Sequence, residues 1–110
     1  MGKHTLRITI QEAEESTVLM LEGRVAGPWA AELSRVWMEK APQLSQGKLS
    51  IDLSNVIFAD ADGTRVLRAI YFQARPKVVA TTPWTQYLAE KIAANPNDVS
   101  DEEQENGNND

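Results

Sequence analysis

The chain has 110 residues, 42% of them hydrophobic, the length of one domain with enough apolar material for one core. It has no cysteine, which excludes disulfides, thiolate metal sites and a cysteine nucleophile and suits a reducing compartment. The net charge of -5 is concentrated: residues 95–110 hold six acids and no base, whereas residues 1–94 hold ten acids against eleven bases, so no concentrated basic face points to a nucleic-acid partner.

No apolar run approaches the ~18 residues of a membrane span, so direct membrane insertion is not expected. The start, Met1-Gly2-Lys3-His4-Thr5, lacks the apolar core of a signal peptide, and a cytoplasmic protein is the expectation.

Leu6, Ile8 and Ile10 alternate with polar residues, the period of a half-buried strand. Glu12-Ala13-Glu14-Glu15-Ser16 reads as a hairpin loop. Thr17-Val18-Leu19-Met20-Leu21 is apolar almost throughout, which predicts a strand covered on both faces and closed by Gly23. Gly27-Pro28 opens a helix, because proline's missing N–H costs nothing in a first helical turn. Trp29, Leu33, Val36 and Trp37 form its apolar stripe, with Glu32, Arg35 and Glu39 facing water. Pro42 and Gly47 bracket the exit loop.

Leu49, Ile51 and Leu53 begin the next strand, which runs through Val56 and Phe58. A helix then begins near Gly63, with Val66, Leu67, Ile70 and Tyr71 on one face, and Pro76 stops it. Lys77-Val78-Val79-Ala80-Thr81 is a short strand. Thr82 is placed to cap a last helix striped by Trp84, Leu88 and Ile92. The order β-β-α-β-α-β-α predicts an α/β fold with a mixed four-stranded sheet and three helices packed on it. The domain is expected to occupy residues 1–94. Residues 95–110, acidic and almost without apolar side chains, are expected to be a disordered tail.

The junction Phe58-Ala59-Asp60-Ala61-Asp62-Gly63-Thr64-Arg65 is the most informative stretch, because small α/β domains often place their chemistry where a strand feeds a helix. Phe58 is expected to anchor the strand end in the core. Asp60 stands where an N-cap is wanted, and Asp62 where the helix dipole favours negative charge. Gly63 admits a close backbone or partner. Arg65 is spaced to pair with Asp62, and Arg75 falls near the helix C-terminus, where cations are favoured.

This pattern, I-D-L-S-N-V running into F-x-D-x-x-G, with two strands and a Gly-then-helix before it, resembles the STAS domain, the fold of anti-sigma factor antagonists. The resemblance covers roughly residues 5 to 94 and takes Gly23-Arg24-Val25 as the loop before the first helix. In that family the turn usually reads Asp-Ser-Ser/Thr-Gly, and a partner kinase that is also an anti-sigma factor phosphorylates the first serine. Asp60 and Gly63 match the motif Asp and Gly. Ala61 falls at the phosphorylated position and Asp62 at the second hydroxyl.

The resemblance implies a non-enzymatic regulatory module whose partner is an anti-sigma factor or a histidine-kinase-like ATPase protein. Its contact turn would be Asp60, Ala61, Asp62, Gly63, Thr64 and Arg65, with the phosphorylation site lost at Ala61. Asp62 stands as either a fixed partial phosphate mimic or an ordinary first-turn residue. Thr64, past the glycine, is expected to point elsewhere. A homodimer stays open. STAS domains also occur in transporter-associated complexes, including phospholipid-transport systems, and an apolar patch around Trp29 would favour such an accessory or ligand-binding role.

No nucleophile–base pair, phosphate loop or nucleotide fingerprint supports an enzyme or a cofactor. His4, the one histidine, has no companion for metal binding. A receiver domain with Asp60 as phospho-acceptor would need further carboxylates after an early apolar strand, and none follows one. The three tryptophans are expected to pack in or at the edge of the core.

Overall fold

In the computed structural model, which describes residues 5–43 and 48–94, apolar alternation places each strand. His4, Gly47 and the expected disorder of residues 95–110 lie outside the described residues. β1 (Leu6–Glu12) and β2 (Thr17–Val25) form an antiparallel hairpin with Ile8 opposite Leu21 and Ile10 opposite Leu19. The expected loop closes by an Ala13 N–H donated to the Ser16 carbonyl at 2.8 Å. α1 (Pro28–Lys40) ends in a short 3-10 turn at Ala41–Gln43. β3 (Leu49–Ala59) runs parallel to β2, with Leu19 opposite Ile51. α2 (Ala61–Ala74) leads to β4 (Lys77–Val79), parallel to β3, and α3 (Pro83–Ala93) follows. The sheet order is β1-β2-β3-β4, so the expected mixed sheet and element order are those the chain adopts.

Two parallel crossovers in one direction, β2-α1-β3 and β3-α2-β4, put both helices on the same face when each is right-handed. α2 sits between α1 and α3 and touches both. The core fills the space between this layer and the sheet. Leu21, Ile51 and Leu53 meet Leu33 of α1, Leu67 and Ile70 of α2, and Leu88 of α3, all essentially inaccessible. Each such side chain contributes about 1.5–3 kcal/mol by leaving water.

The same topology corrects one expectation. β2 is covered on one face, not two: Thr17, Leu19 and Leu21 are buried, while Val18 and Met20 on the other face are half-buried. An apolar run predicts two covered faces only if helices fall on both, and here the crossovers send them to one.

β2 also continues through Gly23 to Val25, so the Gly23-Arg24-Val25 segment is strand rather than loop. Gly23 takes a φ of 107° between two register shifts, and a Cβ there would overlap the Thr5 carbonyl oxygen. β4 stops at Val79, short of Thr81, because the N–H groups of Thr81 and Thr82 are donated to Thr85 Oγ1 (3.1 and 2.9 Å). Thr82 caps α3 as expected, and with Thr85 it completes a capping box worth about 1 kcal/mol.

The tryptophans pack as expected. Trp37 is buried and donates its Nε1–H to Gln73 Oε1 at 2.8 Å. Trp84 donates to the Val56 carbonyl at 2.9 Å, and Trp29 is half-buried against the core.

Candidate functional site

The site is built where β3 turns into α2. Asp60 has extended backbone angles and caps the helix: its Oδ1 accepts the Gly63 N–H at 2.7 Å. Its Oδ2 accepts the Gly27 N–H, at the start of α1, at 2.9 Å. Its own N–H is donated to the Val25 carbonyl at 3.2 Å. The carboxylate thus joins the starts of two helices, and the backbone of the same residue ties them to the end of β2. The N–H donors, Gly63 first and Gly27 next, hold its pKa below the usual carboxylate range by stabilising the charged form. The cap at Asp60 also makes Ala61 the first helical residue, two positions before the expected start near Gly63.

Gly63 is buried in the first turn of α2, directly against β2. A Cβ built on it would overlap the Val25 carbonyl oxygen and lie 2.8 Å from its carbon. The close approach anticipated at this glycine is therefore made by the chain's own backbone. The contact seats α2 tightly against the C-terminal end of β2, an inner strand, and leaves Ala61 and Asp62 exposed.

Ala61 and Asp62 are exposed. Asp62 accepts from Arg65 Nη1 at 2.6 Å, the pairing expected from their spacing. Both side chains remain more than 60% exposed, so the pair adds little stability and its charges face outward. Thr64, expected to point away, instead lines the same pocket as Ala61. This pocket, of about 420 Å³, is completed by Asp60, Arg65, Arg68 and Lys91. Arg68 reaches across to α3, donating from Nη1 to the carbonyls of Lys91 at 2.8 Å and Ala94 at 3.1 Å. Arg75 takes a left-handed conformation (φ 50°) at the C-cap of α2, the cationic end expected for it.

Two features escape a reading of the sequence. Phe58 does not anchor the core: it is 38% exposed, with the Arg24 guanidinium over its ring at 4.5 Å, and neighbouring Ile57 is 63% exposed. The signal is a break of alternation. Leu49, Ile51 and Leu53 face inward, then Val56 does, and the β2–β3 register shifts to match. One strand cannot bury Val56 and both residues that follow it. The second feature is Lys91, thirty residues away along the chain from Ala61, which only packing of α3 on α2 brings to the turn.

Among the described residues, no three His, Cys, Asp or Glu side chains gather as a set of metal ligands, and no helix is long and apolar enough to cross a membrane. Both Asp60 oxygens are engaged by backbone N–H groups, an arrangement that fits a structural cap rather than a phospho-acceptor.

No family model matches the sequence, and no curated protein shows significant similarity to it. Among solved structures, the chain superimposes on an anti-sigma factor antagonist from Mycobacterium paratuberculosis with a TM-score of 0.62. The fold is that of an anti-sigma factor antagonist. The match covers 76% of this chain and 74% of the other at 24% identity, so the likeness is one of architecture. It agrees with the resemblance drawn from the I-D-L-S-N-V and F-x-D-x-x-G segments.

The Asp60 clamp makes a pH prediction. A carboxylate whose folded pKa is depressed contributes stability above its unfolded pKa, near 4, and loses it as pH falls through the folded value. Asp60→Asn keeps one acceptor oxygen of two. The variant is expected to melt below the native chain at pH 7, with the gap closing as pH falls below the unfolded value and through the lower folded one, where the native carboxyl is itself protonated. Thermal unfolding followed by circular dichroism across a pH series measures the gap; a gap constant at every pH would mean that the charge plays no part.

Proposed function

We propose that the chain is a non-enzymatic regulatory module that docks a protein partner through the turn Asp60–Arg65, in the manner of an anti-sigma factor antagonist. The partner class is an anti-sigma factor or a histidine-kinase-like ATPase protein. The observation that supports this most is the exposed Ala61–Asp62 pair at the start of α2, beyond the C-terminal ends of the inner strands of a fold shared with such an antagonist. Asp60 and Gly63 shape the turn from beneath, since one is spent on backbone N–H groups and the other on Val25. Asp62, Thr64 and Arg65 are left to make contact. Ile57 and Phe58, exposed at the adjoining strand end, add an apolar anchor of the kind that dominates binding energy.

In this reading Ala61 is the regulatory departure. With a methyl group where STAS domains carry the phosphorylated serine, the partner has no acceptor there and cannot release itself by phosphorylation. Asp62 is ion-paired with Arg65, and that pairing favours an ordinary first-turn residue over a phosphate mimic.

The test is calorimetric titration of the chain with purified proteins of the partner class from the same genome. Asp62→Arg is expected to weaken binding by at least about tenfold, or 1.4 kcal/mol, with the melting temperature little changed. Unchanged affinity would remove this surface from the interface, and binding by no protein of the class would end the reading. The transporter-accessory alternative called for an apolar patch at Trp29, but that ring is half-buried against the core.

A further inference from the structure

The two edges of the sheet are not alike. β4 is an edge of three residues, too short to template another strand. β1 is an edge of seven residues, hydrogen-bonded on one side only, to β2. It carries none of the usual protections. It has no proline, no bulge in its pairing with β2 and, between Leu6 and Gln11, one charged side chain, Arg7.

The hydrogen bonds at its two ends fix which backbone groups it offers. The Thr5 carbonyl accepts the Arg24 N–H at 3.5 Å, and the Ala13 N–H is donated to the Ser16 carbonyl at 2.8 Å. Both pairs continue the register in which Thr9 stands opposite Met20. Odd-numbered residues therefore bond to β2, and the N–H and C=O groups of Leu6, Ile8, Ile10 and Glu12 point away from it along the open edge. The cover of Ile8 and Ile10 is incomplete as well. They stand on the helix side, opposite Leu21 and Leu19, yet are only half-buried, because α1 packs chiefly over β2.

We infer that β1 is the contact strand of a homodimer: two copies of this chain pair their β1 edges antiparallel about Thr9 and continue the sheet from one protomer into the other. The strand is patterned for its own reverse. Outward from Thr9, Ile8 matches Ile10 and Arg7 matches Gln11, so the central pairs are apolar on the helix side and polar on the other. Leu6 meets Glu12 at the rim. The two Arg7 positions stay about 14 Å apart along the strands, so no like charges face each other. This register sets both helix layers on one side of the joined sheet. It makes about eight main-chain hydrogen bonds, from the outward-pointing residues of both strands. The two β2 strands then lie three strand spacings apart, about 14 Å, which leaves room between the α1 helices above them for Ile8 and Ile10 of both copies. A strand of unrelated sequence has no such match built in.

The interface is small. Two such strands bury less than the roughly 1,600 Å² of a standard complex, so the dimer forms at micromolar concentration or above and dilution reverses it. β2 separates the shared edge from β3, whose end carries the turn Asp60–Arg65. Both turns therefore stay outside the contact, and the inference does not depend on what docks there.

Residue-resolved amide hydrogen exchange on the native full chain reads the edge directly. At millimolar concentration the amides of Ile8 and Ile10 are expected to exchange at least about tenfold more slowly than after dilution to low micromolar concentration. Those of Arg7, Thr9 and Gln11, bonded to β2, stay protected at both. The absence of cysteine adds a test of register through Thr9→Cys, on the sheet face away from the helices. Two such positions in a non-hydrogen-bonded pair stand about 4.5 Å apart at Cα, within reach of a disulfide, so mild oxidation of the concentrated protein should link most chains. Gln11→Cys, about 14 Å from its own copy, should stay largely unlinked.

Three results would overturn the inference. Free exchange of Ile8 and Ile10 at millimolar concentration would leave the edge open. Protection that dilution does not change would assign the edge to a segment of the same chain. Equal linkage of the two cysteine variants would place the contact elsewhere. Neither variant touches residues 60–65, so failure of the dimer leaves the docking reading intact, and failure to find a docking partner leaves the dimer.

Discussion

Gly63→Ala is expected to unfold the domain or to lower its melting temperature by about 12 °C or more. From helix propensity the same change gains stability, since alanine is better than glycine inside a helix by about 1 kcal/mol. The contact decides the sign. The new Cβ would overlap the Val25 carbonyl oxygen, and Val25 is itself inaccessible and fixed in β2 by the Asp60 N–H. Relief requires α2 to lift off the end of β2, which also strains the Asp60 clamp and pulls Leu67 and Ile70 out of register with the core. Overpacking of this kind costs about 3 kcal/mol, and each kcal/mol moves the melting point of a domain this size by about 4 °C at least. Gly27→Ala separates crowding from backbone strain. A Cβ there meets nothing within 4 Å, yet φ is 57° and ψ is −134°, outside the left-handed helical region, so backbone strain alone is expected to cost about 1–3 kcal/mol. Thermal denaturation of the two variants side by side measures both losses; a Gly63→Ala chain that melts no lower than the native one would mean that the Val25 contact does not decide the sign.

The second large effect concerns the hydroxyl proposed to be lost at Ala61. Ala61→Ser is expected to make the chain a substrate for a partner that is a kinase, and phosphorylation is expected to weaken binding to that partner by at least about 100-fold. Ala61 is exposed at the first position of α2, so serine introduces no clash and the fold should be unchanged. A phosphate there adds about -1.5 to -2 charges. The helix accepts them, since its N-terminus favours anions, but a complementary partner surface does not. Like charges pressed together in an interface cost several kcal/mol, and 2.7 kcal/mol corresponds to 100-fold. Incubation with the partner and ATP, read by intact mass and followed by titration, shows both steps. The unaltered chain is expected to take no phosphate in residues 60–65. Modification at Thr64, which lines the same pocket as Ala61, would refute the idea of a module without an off-switch.

Local rules carried far along this chain. Period-two alternation located β1 and the inward residues of β3, and helical spacing located the stripes that became Leu33 and Trp37, Leu67 and Ile70, and Leu88 and Ile92. Capping chemistry located Asp60 and Thr82, because a side-chain oxygen near free N–H groups acts within a few residues. The same short range made the Asp62–Arg65 pair legible.

What stayed hidden depends on residues distant in sequence. The cover of β2 on one face follows from the hand of two crossovers, Phe58 emerged because a bulge shifts the register of β3 against β2, and the second N–H on Asp60 comes from Gly27. Alone, the sequence settled the order and kind of the helices and strands but not all of their ends, since those preferences are written in neighbours. Only the tertiary structure decided that the close approach at Gly63 is made by the Val25 backbone rather than left for a partner, and that Lys91 joins Ala61, because steric contact and charge between elements exist only once the elements are packed.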